Sequence, residues 1–171
     1  MDLMLLRVFQ RQVGLQCRYL LLAAEDVNKG LQQQDIEYTF YALQNLLNAA
    51  ANISKALWGT KGKRADARKE LRDSIGIADD SPLRDPDMRN NFEHFDERLD
   101  KWWKDSSRHM HVDFVVGPKN MVSVGDETDQ FRIFDPDTMD MVFWGQAFNI
   151  KKLIRRTENH SHTCCWARYR N

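Results

Sequence analysis

The chain has few cysteines, no surplus of either charge and no long apolar run, and each shortage closes off a class of protein. Its three cysteines are Cys17, inside an amphipathic pattern, and the neighbours Cys164 and Cys165. They do not make a disulfide framework, so the reducing cytoplasm is the expected home. Lysine and arginine number 25, aspartate and glutamate also 25, and the formal net charge is zero. A surface coated in basic groups is thereby excluded, although local patches are not. The opening Met-Asp-Leu-Met-Leu-Leu lacks a basic leader, and Arg7, Arg11 and Arg18 interrupt the apolar residues before a bilayer could be crossed. Neither an export signal nor a membrane span is expected. Internal repeats, a glycine-rich phosphate loop, a Walker pattern and a nucleophile elbow are all missing, which removes several common enzyme classes.

What is present is mostly helical periodicity. From Leu3 to about Lys29, Leu6, Val13, Leu20 and Val27 follow one line of a helix, while Val8, Leu15 and Leu22 follow another. Two buried faces are implied. One belongs to the protein interior; the other belongs either to a second subunit or to the surroundings of a helix central to its own bundle. Gly30 supplies a helix stop, and a second helix is expected from about Asp35 to Trp58, with Ile36, Phe40, Leu43, Leu47, Ala50 and Leu57 as its apolar face. Asn45, Asn48, Asn52 and Lys55 form a contrasting polar stripe, either a solvated face or the lining of a polar cleft. Lys61-Gly62-Lys63-Arg64 then opens a basic segment that continues through Arg68, Lys69 and Arg72, opposed locally by Asp66 and Glu70. A glycine-containing loop leading into a short helix is expected there; it is either a solvated face or a place that holds phosphate oxygens.

After a turn-rich connection at residues 79–84, Asp85 and Pro86 suit the N-cap and first position of another helix. Phe92, Phe95, Leu99 and Trp102 share one stripe of that helix, and the advance of roughly 100° per residue turns Asn90 and His94 away from it. Beyond Lys104 the period becomes strand-like. Strands are expected at residues 110–116, 121–124, 130–134 and 139–144, separated by turn signals at residues 117–120, 125–129 and 135–137, with a last helix at about residues 149–157. Trp144, Phe143 and Phe148 are expected to join the strands to that helix. The fold class is therefore mainly α: an antiparallel helical bundle over residues 1–104, then a small antiparallel β-meander, a short helix and a tail over residues 105–171, packed on the bundle.

Arg89-Asn90-Asn91-Phe92-Glu93-His94 is an arginine, a polar residue, three variable residues and a histidine, near the start of a helix that follows two long ones. Over residues 1–104 the chain resembles the HEPN family (higher eukaryotes and prokaryotes nucleotide-binding). The resemblance implies a metal-independent endoribonuclease that leaves 2′,3′-cyclic phosphate ends, needs no cofactor and works as a homodimer with two motifs meeting in a cleft. Arg89 would bind the scissile phosphate, His94 would transfer protons, and Asn90 would orient the histidine or the phosphate. Asn48, Asn52, Lys55, Lys63 and Arg64 are candidates for holding the RNA. A toxin or phage-defence setting, with a nucleotidyltransferase-type antitoxin as partner, is implied in the same way. The alternative is a non-catalytic HEPN-like module that binds a nucleotide, RNA or protein.

The residues suit this chemistry independently of the resemblance. Imidazole exchanges protons near neutral pH. A guanidinium offers several donors to phosphorane oxygens as they gain charge. In an unbroken helix Asn90 and His94, four apart, are neighbours, whereas Arg89 must reach across or be supplied by a second subunit. Against this, Glu93, Asp96, Glu97 and Asp100 surround the motif with negative charge, and Arg89–Glu93 and Glu97–Lys101 could be ordinary helix pairs. His160, His162, Cys164 and Cys165 concentrate possible zinc ligands, but adjacent cysteines do not match the usual separated spacing. His109 and His111 fit a strand surface, and core packing of at least one of Trp102 and Trp103 is expected ahead of base stacking.

Overall fold

A computed structural model describes residues 1–84, 94–122, 126 and 129–161. Among them the chain is mainly helical, with a small mixed sheet and a final helix. The first helix, α1 (Leu3–Gln33), is capped by Asp2, whose Oδ1 accepts from the amides of Met4 and Leu5 at 2.9 and 3.1 Å. α2 (Ile36–Trp58) is capped by Asp35, which accepts from the Tyr38 amide. A short connection joins them, and Gln34 there takes a left-handed φ of 56°.

Gly30 does not stop α1, contrary to expectation; it lies inside the helix and is buried. The reason is contact. A Cβ built on Gly30 would stand 2.5 Å from Thr39 Oγ1 and 2.9 Å from the Thr39 amide nitrogen, so only glycine lets α2 start this close to α1. Further along, the side-chain amide of Asn52 approaches Gln16 Oε1 at 3.4 Å. Residue 30 meeting 39 and residue 16 meeting 52 define an antiparallel helical hairpin.

Val13, Cys17, Leu20 and Val27 from α1 and Phe40, Leu43, Leu46, Leu47, Ile53 and Leu57 from α2 are buried in one core. The second line of α1 is not covered in the single chain: Val8 and Leu22 are exposed and Leu15 is partly buried.

Beyond α2, the basic segment folds as two single helical turns, Thr60–Gly62 and Asp66–Arg68, leading into α3 (Lys69–Ser74). Arg72 is buried there. Its Nη1 donates to the carbonyls of Leu57 and Ala65, and its Nε donates to Asp79 at 2.8 Å. It therefore satisfies a carbonyl at the end of α2 and is not available to a ligand.

The next described helix, α4 (Phe95–Asp105), buries no residue fully. Phe95, expected on the fold-building stripe, is exposed, while Leu99 and Trp102 are half-buried; Phe92 lies outside the described residues. α4 packs along a rim, and one side of it meets the strand region.

That region holds β1 (Val115–Val116), β2 (Arg132–Asp135), β3 (Asp140–Phe143) and β4 (Gln146–Asn149), in the order β1-β2-β3-β4. β2/β3 and β3/β4 are antiparallel, but β1 runs parallel to β2. The expected all-antiparallel meander is corrected at that edge. Between β1 and β2 the chain is long enough to cross back, as a parallel pair requires.

Of the expected strand at residues 110–116, Val112 makes an isolated parallel bridge to Gln130 and Val115–Val116 join the ladder as β1. Phe114 interrupts it with φ at 56° and sends its ring edge-on to Phe40 of α2, with centroids 5.1 Å apart. Met121 lies in a single helical turn, Lys119–Met121, and residues 123 and 124 of the other expected strand lie outside the described residues. β4 was not expected. Trp144 and Gly145 both have positive φ, 53° and 74°, and together make a two-residue hairpin turn of the primed kind. The last helix, α5 (Ile150–Ser161), buries Ile150, Leu153 and Thr157 and packs chiefly on α1.

Candidate functional site

His94 occupies the N-cap position of α4, with φ −117° and ψ 41°, outside the helical region. The expected unbroken helix across residues 85–102 is thus interrupted at His94, and the four-residue argument that made Asn90 its helical neighbour does not carry across the break. Arg89 and Asn90 lie outside the described residues.

The His94 side chain is half-exposed, and its Nδ1 stands 3.5 Å from Oε1 of Glu97 in the first turn. Asp96 and Glu97 at a helix N-terminus complement the free amides there. Glu97 thus faces His94, whereas the ammonium of Lys101, its expected helix partner, lies 4.9 Å from the ring centre of Trp144.

What holds α4 in place is its polar anchorage to the strand region. Asp129 is fully buried. Its Oδ1 accepts from Trp102 Nε1 at 2.8 Å and from Ser106 Oγ at 2.6 Å, and its Oδ2 accepts from the Asp126 amide at 2.9 Å. Burial raises the carboxyl pKa, but the bonds from Ser106, Trp102 and the Asp126 backbone outweigh it and hold the group below the ordinary aspartate range.

Ser106 Oγ in turn accepts from the His109 amide. The Trp102 ring meets His109, His111 and Phe131 edge-on at centroid distances of 6.0, 5.4 and 5.7 Å. A second anchor is Trp144 in the β3–β4 turn, whose ring lies beneath both Arg98 and Lys101. Trp102, half-buried, therefore anchors α4, while Trp103 is largely exposed.

The expected RNA-holding residues lie elsewhere. Asn48 and Asn52 are on the exposed side of α2, Lys55 is partly buried near its end, and Lys63 and Arg64 are exposed in the turns that follow. None of them contacts His94, whose one ion pair among the described residues is to Glu97.

Arg64 folds back over the end of α2: a Cβ on Gly59, whose φ is 76°, would touch the Arg64 Cβ at 2.8 Å. The guanidinium of Arg68 lies 3.7 Å from the ring centre of Phe9 on α1. Phe9 and Gln16 are seven apart and share a face of α1, so the Gln16–Asn52 contact and the Phe9–Arg68 stack lie along one seam of the hairpin.

Family models, curated proteins and solved structures give no match to this chain. The residues alone carry any functional reading.

Among the described residues no three histidine, cysteine or carboxylate side chains converge on a metal position. His162, Cys164 and Cys165 lie outside them, and His109 and His111 are engaged with Trp102. No described helix is long and apolar enough to cross a membrane. An open hollow of about 600 Å³ beside β2 is lined by residues including Asn120, Gln130, Asp135 and Thr138, and by none of the expected site residues. Sequence reasoning missed Asp129 and Phe9. Asp129 stood inside what reads as a turn, and Phe9 fell between the two apolar lines of α1.

Proposed function

We propose that the chain is a metal-independent endoribonuclease of HEPN type that acts as a homodimer. The observation that carries this reading is the half-exposed His94 at the start of an edge helix, at the end of an Arg-polar-x-x-x-His sequence. An imidazole placed there can take the proton of an RNA 2′-hydroxyl or return one to the leaving group. The 2′-oxygen attacks the adjacent phosphorus, the bond to the 5′-oxygen breaks, and that oxygen leaves with a proton. The products are a 2′,3′-cyclic phosphate and a 5′-hydroxyl. Arg89 would neutralise the charge gained by the non-bridging oxygens, and Asn90 would orient His94 or the phosphate; neither step uses a metal or cofactor.

The homodimer is supported by the second apolar line of α1. Met4, Val8, Tyr19 and Leu22 are exposed along one side of the helix, and a second copy would cover them. Two hairpins brought together in this way would complete an antiparallel helical bundle. The setting that fits is a cytoplasmic toxin or phage-defence nuclease restrained by a nucleotidyltransferase-type antitoxin.

Incubating the protein and its His94→Ala variant with single-stranded RNA in chelator tests the reading: the parent should cut and leave cyclic ends, and the variant should not. Equal cutting by both would refute it. The exposed carboxylates of Asp96, Glu97 and Asp100 around His94 favour a second reading, a non-catalytic HEPN-like binding module; binding without turnover would mark it.

A further inference from the structure

We infer that Arg64 and Arg68, with Phe9 beneath, form a clamp for a backbone phosphate of single-stranded RNA, at a distance along the chain from the His94 motif. The inference rests on the ribonuclease reading for the identity of the ligand, but its geometry is independent of His94.

Three observations meet at this point. First, the Arg68 guanidinium lies over Phe9, its Cζ 3.7 Å from the ring centre, so the ring restricts where the guanidinium can go before any ligand arrives. Second, its charge is left without a counter-ion. The Nε is shielded from solvent and has no acceptor, and neither Arg64 nor Arg68 forms a side-chain ion pair among the described residues. Burial, and then the charge of Arg64 one turn earlier, lower the Arg68 pKa from the usual arginine value. Third, the nearby acids are mostly engaged: Glu70 with the amino group of Met1, Asp73 with Lys69 and Asp79 with Arg72. Asp66, exposed in the same segment, is the remaining carboxylate.

Arg64 and Arg68 leave the same helical turn, the Arg68 amide donating to the Arg64 carbonyl at 3.0 Å, and with no ion pair among the described residues to offset either charge, an anion held by both relieves their repulsion. A phosphodiester meets the need, since its two non-bridging oxygens match the donor fork of a guanidinium. The seam supplies the remainder. Gln16 and Asn52 sit about 10 Å farther along α1, at 1.5 Å per residue, and their amides are exposed or half-buried where neighbouring nucleotides would lie. Single-stranded RNA is favoured over duplex because this is a seam between two helices with an aromatic–guanidinium stack at its end.

The test is equilibrium binding of a labelled single-stranded RNA to the His94→Ala protein in chelator, across a salt series, with Arg64→Met and Arg68→Met introduced separately. Lys29→Met, the same charge change at the far end of the hairpin, is the control. Each arginine variant should bind about ten-fold more weakly and lower the salt slope by roughly 0.7 to 1, while the control changes neither. Melting curves check that the variants fold; Arg68→Lys, which keeps the charge, should recover part of the loss if Arg68→Met unfolds.

The Arg68 Nε–H resonance gives a direct readout. It should move with RNA, and inorganic phosphate should reproduce the shift only at far higher concentration. Unchanged affinity and slope in folded arginine variants would overturn the clamp, as would failure of the parent to bind RNA. A shift with phosphate that RNA does not displace would replace RNA with a small phosphate ligand. Cutting that survives His94→Ala would refute the ribonuclease reading while leaving the clamp standing.

Discussion

Removing the buried carboxylate of Asp129 should loosen α4 from the strand region, and the size of the effect can be worked from its three bonds. Asp129→Ala leaves Ser106 Oγ, itself buried, and Trp102 Nε1, half-buried, without their acceptor; the exposed Asp126 amide can turn to water. A stranded buried donor costs about 1–3 kcal/mol, so the variant should lose about 3–4 kcal/mol, a large share of a typical domain's stability. Asp129→Asn keeps an acceptor for Ser106 and Trp102 but presents an NH₂ to the Asp126 amide and gives up the charge, for a loss of about 1–2 kcal/mol. Because the folded pKa is depressed, the contribution of the carboxylate is fully present above its unfolded value near 3.9 and is lost as pH falls through the folded value. The gap between parent and Asp129→Asn should therefore be constant from pH 7 to about 5 and close in stronger acid. Urea unfolding followed by tryptophan emission measures it, and hydrogen exchange across Phe95–Asp105 reads the anchorage directly. A gap that does not shrink on acidification, or α4 amides exchanging as in the parent, would refute the role assigned to Asp129.

Gly30→Ala should destabilise by about 2–3 kcal/mol in a thermal melt although alanine is the better helix former, because its methyl group would meet the Thr39 backbone; a stabilised variant would show that the hairpin can open there. Trp144→Asn should relieve about 1 kcal/mol of left-handed strain yet remove the ring beneath Arg98 and Lys101, so that α4 exchanges faster while global stability changes by less than about 1 kcal/mol. Unaltered exchange in α4 would count against that anchor. Val8→Glu with Leu22→Glu, both exposed in the single chain, should leave the monomer fold within about 1 kcal/mol of the parent and abolish self-association in sedimentation; a dimer that survives both changes would move the interface elsewhere.

Much of the hairpin was legible because it is written in local terms. A 3.6-residue apolar period, on two lines in α1 and one face in α2, with Asp35 at the start of the second helix, defines α1 and α2 nearly to their ends. Gly30 misled because a glycine that permits close approach looks like one that ends a helix. The sheet was read less well because its decisive residues go against their usual habits. Phe114 and Trp144 take left-handed conformations that large aromatic residues seldom adopt, and the ring of each meets residues distant in sequence, Phe40 and Arg132 in one case and Arg98 with Lys101 in the other. Period and turn chemistry carry no information about such distant partners. The candidate site divides in the same way. The residue types at positions 89, 90 and 94 are visible in the sequence, whereas the break in helical backbone at His94 and the charge left open on Arg68 arise only from packing.

The anchors of α4 change what the strand region is for. Read along the chain, the helix after His94 belongs with the two long helices, and residue 104 marks a natural end to that unit. In space, the named partners of Arg98, Lys101 and Trp102 are Trp144, Asp129 and the ring cluster of His109, His111 and Phe131, all beyond residue 104. A helix with no fully buried side chain cannot hold His94 steady by its own packing, since burial of an apolar face is what fixes a short helix in a protein. Its rigidity must come from those contacts. The strand region thereby becomes the support on which His94 is positioned, and the Asp129 anchor holds α4 at Trp102 and Ser106, about two and three turns from His94.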